Sequence, residues 1–477
     1  MSHTDPNLVE RSHVALEDTV LQGALRRATG TFIDRRREAL TSVADWEALR
    51  MRARQVKEHT INHLDYYLEQ LVKNVEAQGG KVHWARNGDD VSKYIIDLAK
   101  ARGVKSVVKS KSMATEEIEL NHALEAAQIT PVETDLGEYI IQLAHEKPTH
   151  IIVPAIHKTR EQIEDLFGDK LEFGRPNGVN EITAIARRRL RHEFFAAQMG
   201  ITGANFAIAE TGSIVLVENE GNIRLSTQVP QIHVAVVGIE KVIPRFDDLS
   251  VFLRILPRSG TGQKLTAYVS FLNGPRKKNN PAAAPPSDFE FHLVLMDNGR
   301  TRMLADEQLR ESLYCIRCGA CLNVCPVYQK IGGQAYGWIY PGPIGAVISP
   351  QLQSLKESGD LPFASSLCGA CRDACPVAIN LPDMLLALRA KAKESGTVKQ
   401  KPGERAALRG YAFAARRPKL FGFAGKVARA VARLLTKDGK ISRAPAPPLS
   451  DWTAYRDLPA PHGGSFRDRW AKLKDNE

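Results

Sequence analysis

Cys315-Ile-Arg-Cys318-Gly-Ala-Cys321-Leu-Asn-Val-Cys325-Pro326 and Cys368-Gly-Ala-Cys371-Arg-Asp-Ala-Cys375-Pro376 hold all seven cysteines of the 477-residue chain. The first run has the ferredoxin spacing C-x2-C-x2-C-x3-C-P, in which three close thiolates grip one iron–sulfur cluster and the fourth reaches its neighbour. Structural zinc is the competing reading of C-x2-C pairs. It takes four thiolates or adds histidine, and no H-x3-5-H follows either run. A disulfide framework belongs to short chains in oxidising compartments. This chain is long and shows no apolar N-terminal leader, so the thiols are expected to be reduced, metal-bound and cytoplasmic.

Aligned on its Cys-Pro end, the second run places Cys368, Cys371 and Cys375 at the second, third and fourth ligand positions, and Ser365 at the first. Exchange of the fourth cysteine between runs gives one cluster on Cys315, Cys318, Cys321 and Cys375, and another on Cys325, Cys368 and Cys371. The second cluster therefore lacks a thiolate. A [4Fe–4S] cluster completed by Ser365, another residue or water, a [3Fe–4S] cluster, and a ligand from a partner chain all fit. Ser365 equally fits the cap of a helix start.

With 43% hydrophobic and 25% charged residues, the chain reads as globular with two to four domains. No stretch approaches the roughly 20 apolar residues needed to span a bilayer, which points to a soluble or peripheral protein. The net charge of +11 is concentrated at one end: residues 389–477 carry 21 Lys+Arg against 8 Asp+Glu. There, Tyr411 to Leu435 mixes Phe423, Val427, Val431 and Leu434 with Lys426, Arg429 and Arg433 at helical spacing, an amphipathic basic helix. Such a helix suits an anionic membrane surface, an acidic partner, or its own domain. No nucleic-acid reading motif accompanies the charge, and nucleic-acid binding is not expected.

Upstream, helical periodicity covers Ser12 to about Ala28 and Val43 to about Ala77. Strand-like segments at 82–85, 106–110, 130–134 and 150–154 then alternate with helices at about 88–102, 116–128, 136–146 and 159–168, a pattern that predicts a parallel sheet covered by helices. A helix at about 180–199 precedes strands at 204–210, 213–219, 232–238, 266–272 and 291–297, and 279–287 reads as a loop. The expected domains are a helical region (1–80), an α/β domain (81–297), a two-cluster module (298–388) and a basic extension (389–477).

Catalytic signals in the α/β region are weak. Glu210-Thr-Gly-Ser213 reads first as a turn between strands. Ser259-Gly-Thr-Gly262 could cradle an anion, but no dinucleotide or Walker motif is present. His122, His157, His192 and His233 form no metal pattern. Lys109, Lys111 and Ser112, after a predicted strand, are the best candidates for a small anionic ligand. The catalytic residues are unknown at this level.

The order of AETGSIVLVENEGN (209–222), YCIRCGACLNVCPVY (314–328), YGWIYPGPIGAV (336–347), SLCGACRDACPVAINLP (366–382) and a basic tail ending in SFRDRW (465–470) resembles the lactate utilisation protein B family. The resemblance runs over nearly the whole chain. It implies an α/β domain related to the CoA-transferase and ribose-phosphate isomerase group, an all-α ferredoxin-like module with two clusters, and a basic helical extension. It further implies electron transfer in the oxidation of L-lactate to pyruvate, beside companion proteins of the same system and a membrane or quinone-linked acceptor. The alternatives are an α/β domain that itself acts on lactate or pyruvate, and an iron–sulfur subunit for another 2-hydroxy acid such as glycolate. The implied cluster ligands are the seven cysteines, the short second run included.

Overall fold

The computed structural model describes residues 7–146, 148–276, 289–398, 402–446, 449–454, 456–460 and 464–474. The chain forms two compact units, Met1–Val398 and Lys399–Glu477. The first contains the α/β domain and both cysteine runs.

Its strands are β1 (Lys81–Ala85), β2 (Ser106–Lys109), β3 (Thr130–Glu133), β4 (Met199–Thr202), β5 (Phe206–Ile208), β6 (Ser213–Glu218), β7 (Ile232–Gly238), β8 (Val242–Ile243), β9 (Tyr268–Leu272) and β10 (Glu290–Met296). Six of them form a parallel sheet in the order β1-β10-β7-β4-β2-β3. Its central strands are predominantly apolar, as a sheet covered on both faces requires. Alternation divides their side chains: Val234, Val236 and Val294 pack with Val91, Ile95 and Leu124 on one face, while Ala235, Val237, Leu293 and Leu295 join Leu71 and Val75 on the other. A second, four-stranded sheet has the order β8-β5-β6-β9.

The expected α/β layer is thus present, with local departures. Residues 150–154 form no strand. There the His150 ring accepts the amides of Ile152 and Val153 and Lys111 Nζ takes the Ile152 carbonyl, so this backbone bonds to side chains instead of a ladder. The two long N-terminal helices are each split. Asp18 ends Leu8–Glu17 and caps Thr19–Thr41 by accepting from Leu21 N; His63 separates Trp46–Asn62 from Leu64–Ala77. The expected helix at 116–128 breaks at Glu119, whose φ of 50° is left-handed. Strand β4 and the helix Leu249–Gly260 are additions that the sequence did not announce.

The cysteine module is helical, with Arg300–Ala305, Gly342–Leu352, Leu381–Glu394 and shorter turns between them. It shares one continuous apolar core with the N-terminal helices and the four-stranded sheet, including Leu25, Phe206, Phe252, Tyr328 and Leu385. A buried polar network crosses the same boundary. Arg300 donates to both carboxylate oxygens of Glu117 at 2.8 Å and to Glu240 at 2.6 Å, and Tyr340 OH donates to Glu117 at 2.8 Å. Gly238, ending β7, leaves the space for it, since a Cβ there would meet Glu240 Oε2 at 2.2 Å.

Replacing Arg300 by Met strands two buried carboxylates. The expected loss is about 3–5 kcal/mol, read as a lower denaturation midpoint, whereas Arg302→Met, on an exposed side chain, should leave the midpoint within error.

Candidate iron–sulfur centre and the adjoining cavity

The two cysteine runs are built on the same backbone device. Arg317 and Gly319 take left-handed φ values of 58° and 75°; the equivalent Leu367 and Gly369 take 56° and 85°. The reversal turns successive amides toward the thiols. Arg317 N donates to Cys315 Sγ at 3.4 Å and Ile379 N to Cys375 Sγ at 3.4 Å. In the second run, Leu367 N donates to Ser365 Oγ at 3.1 Å, the bond that Arg317 N makes to Cys315. Ser365 thus stands where Cys315 stands in the first run. It caps no helix; the next one, Ala370–Ala374, is capped by Gly369.

None of the seven thiols is in a disulfide; five are buried, Cys315 is half-buried and Cys368 is exposed. Their electrostatic neighbours cross between the runs. Burial, then Cys375, pushes the Cys318 thiol up. Burial followed by Cys315, Cys318, Cys375 and Cys371 raises Cys321. Cys371 is pushed up to about 12 by burial and Cys325, with Cys368 adding to it. Cys325 is raised by burial and Cys368, against the amides of Tyr328 and Val327. The thiols of the two runs are thus interleaved, with Cys375 beside Cys318 and Cys321, and Cys371 beside both Cys321 and Cys325. Buried thiolates this close repel unless a cation-rich group sits among them. Among the described residues, no three His, Cys, Asp or Glu side chains converge on a single-ion site. Unbridged thiols in two ferredoxin-spaced runs, with backbone amides aimed at Cys315 and Cys375, fit iron–sulfur clusters.

Arginines from the N-terminal helices close over this centre. Arg36 NH2 donates to Ala374 O at 3.1 Å, Arg50 to Cys375 O at 2.6 Å and Arg372 O at 2.8 Å, and Arg54 to Ala378 O at 2.6 Å. They hold the turn of the second run and place positive charge beside Cys318 and Cys375. The sequence reading passed over them, although Arg50 and Arg54 share a helix face, because their partners lie more than 300 residues away.

Against the first run lies a cavity of about 400 Å³. It opens at the carboxyl ends of β2, β4 and β7, where open α/β sheets bind ligands. Ser110, Gly203 and Gly238 line it on the sheet side, and Ile316, Arg317 and Cys318 on the cluster side. Of the anion candidates, Lys111 and Ser112 line this cavity, while Lys109 is buried in ion pairs with Glu116 at 2.6 Å and Glu133 at 2.7 Å. Gly260 and Thr261 of the Ser259–Gly262 stretch also reach it. Glu210 does not: it is exposed in the β5–β6 turn, where it accepts from Phe246 N. His157 pairs with Glu146, the buried His233 bonds Thr202, and His122 and His192 are exposed, so these four serve surface and packing roles.

A LUD domain profile matches residues 68–295, a 4Fe-4S dicluster domain profile residues 311–379, and a profile described as lactate utilisation protein B, C-terminal, residues 389–475. The chain is 44% identical to lactate utilization protein B of Shouchella clausii over 99% of this chain and 98% of that one. It is 44% identical to the Bacillus velezensis protein of that name (98% and 97%) and 43% identical to the Bacillus subtilis one (98% and 96%). The chain belongs to the lactate utilisation protein B family. A crystal structure of a DUF162 family protein from Deinococcus radiodurans covers 49% of this chain and 98% of its own at 12% identity and a TM-score of 0.26, and carries no argument at that score. Membership places the two cysteine runs of this family member inside a dicluster domain, so its cofactors are iron–sulfur clusters of the 4Fe-4S type.

The equivalence of Ser365 and Cys315 makes a direct prediction. Mild oxidation of the anaerobic wild-type protein should give a three-iron EPR signal, and in Ser365→Cys the fourth thiolate should suppress it. An unchanged signal would remove position 365 from the coordination sphere.

Proposed function

We propose that this chain is the iron–sulfur electron carrier of a lactate-utilisation system, working with companion proteins in the oxidation of L-lactate to pyruvate. The observation that carries the reading is the pair of ferredoxin-spaced cysteine runs inside a dicluster domain, interleaved so that Cys375 lies beside Cys318. The family relatives' name supplies the metabolic setting.

When bound, such clusters supply one-electron carriage at potentials set by surrounding charge, hydrogen bonds and burial. The protein's residues supply those settings. Cys315, Cys318, Cys321 and Cys375 would hold one cluster, and Cys325, Cys368 and Cys371, with position 365, the other. Arg36, Arg50 and Arg317 bring positive charge to the first set, which favours its reduced form. The second set has the exposed Cys368, and gives a partner protein its natural point of electron exchange. Buried Tyr328 and Tyr336 keep water from the space between the sets. Lactate releases two electrons, and two carriers in series pass them one at a time. The relation of the α/β domain to CoA-transferases remains part of this reading; its exposed Glu210 has no nucleophile's surroundings.

The second unit supports a docking role. The helix Pro418–Leu434 presents Phe423, Val427, Val431 and Leu434 to solvent beside its basic residues. Among the described residues no helix is long and apolar enough to cross a membrane. The helix suits adsorption to the anionic cytoplasmic surface, near a quinone-linked acceptor.

Under anaerobic conditions, L-lactate should bleach the visible absorbance of the loaded protein only when the companion proteins are present. Bleaching of this chain alone would overturn the relay reading in favour of a catalytic α/β domain. The full chain should also pellet with anionic vesicles at physiological salt and lose most of that binding in Phe423→Glu/Val427→Glu; failure of the wild-type chain to pellet would remove the membrane arm.

A further inference from the structure

The relay reading assigns nothing to the cavity between the sheet and the Cys315–Cys318 loop, yet its walls contain two polar groups without partners. Arg317 NH1 and Ser110 Oγ are both buried and make no hydrogen bond. The Arg317 side chain is only 9% exposed. Its position is fixed: the left-handed backbone at 317 aims it, the guanidinium lies over the Tyr340 ring at 4.8 Å, and NH2 stands 3.5 Å from Glu240. A free guanidinium edge held this rigidly in a cavity wall is a preformed oxyanion contact. Lys241, half-buried, lines the cavity too.

The remaining charges define the ligand further. Glu240 beside Arg317 and Arg300 leaves the cationic end with a modest excess of positive charge, which suits a monoanion better than a phosphate dianion. On the opposite wall Asp135, Glu218 and Glu220 stand with Lys111 and Ser112. Asp135 caps a helix through Glu138 N and Glu218 takes the amides of Ile223 and Arg224, so both are committed to backbone. Lys111, with one N–H on the Ile152 carbonyl, and the Ser112 hydroxyl can meet a neutral oxygen. The volume is at the small end of the range for metabolite sites.

We propose that this cavity binds a short 2-hydroxy or 2-oxo monocarboxylate, its carboxylate on Arg317 and Lys241 and its 2-oxygen toward Lys111 and Ser112. The site would place the acid beside the loop that carries Cys315 and Cys318, where occupancy is sensed as a change in the charge around the first cluster. No electron or proton passes to the ligand in this proposal, which rests on the relay reading for its context but is tested apart from it.

The test is isothermal titration of the anaerobic, cluster-loaded full chain with L-lactate and pyruvate, with inorganic phosphate as the control anion. At least one acid should bind saturably at millimolar or lower concentration, phosphate at least about tenfold more weakly. Lys241→Gln and Arg317→Gln should each weaken binding by about tenfold or more. Ala204→Phe, which fills the cavity wall away from the cysteines, should abolish it while iron content and visible spectrum stay those of the wild type. Absence of binding by both acids, equal binding of phosphate, or wild-type affinity in Ala204→Phe would overturn the proposal. Each of these results leaves lactate-dependent bleaching with companions untouched, so the two readings fail separately.

Discussion

Arg300 is buried between Glu117 and Glu240, and the placement of the cysteine loops depends on that triad. Glu117 comes from the α/β domain's short helix Met113–Glu117, Glu240 follows β7, and Arg300 begins the helix after β10. Two buried carboxylates are costly unless one guanidinium serves both with good geometry. Here the bidentate bond to Glu117 and the single bond to Glu240 satisfy it. Arg317 and Tyr340 attach to the same two carboxylates. The loop carrying Cys315 and Cys318 is thereby fixed relative to the carboxyl ends of the parallel sheet, and the cavity between them follows from that fixation.

A second constraint acts from the other side. The backbone of the second cysteine run, from Arg372 to Ala378, is short of secondary-structure partners, and its carbonyls are taken by Arg36, Arg50 and Arg54. These arginines hold the turn that carries Cys375, Arg50 with two bonds, and Arg36 and Arg50 bring positive charge beside Cys318 and Cys375. The N-terminal helices are in this sense part of the redox centre. The two runs differ accordingly: the first keeps its thiols buried or half-buried, and the second reaches the surface at Cys368 and has Ser365 where the first has Cys315.

Much of this was legible in the sequence. Spacing alone aligned Ser365 with Cys315, because ligand geometry is local and repeats, and the matching bonds from Leu367 N and Arg317 N bear this out; the crossed ligand sets stay a proposal. The parallel sheet was legible from apolar runs alternating with helical periods. Residues 150–154 misled because their apolar composition is that of a strand, while their amides and carbonyl are claimed by His150 and Lys111. The helix breaks at Asp18 and His63 were hidden inside continuous apolar periodicity. The arginine collar and the Glu117–Arg300–Glu240 triad left no local pattern, since each joins residues 60 to more than 300 positions apart. Lys111 and Ser112 were found from their place after a strand, but Lys109, the last residue of β2, is buried in ion pairs with Glu116 and Glu133, whose contact with it no local pattern announces.

The central claim is that the fourth cysteine of each run serves the other run's cluster. Serine substitution of Cys375, read by EPR-monitored redox titration, tests it most directly. The account predicts that Cys375→Ser alters the same signal as Cys318→Ser and leaves the Cys371-dependent one in place, with Cys325→Ser doing the reverse. If Cys375→Ser instead reproduces the effect of Cys371→Ser, the runs are uncrossed and the account is wrong.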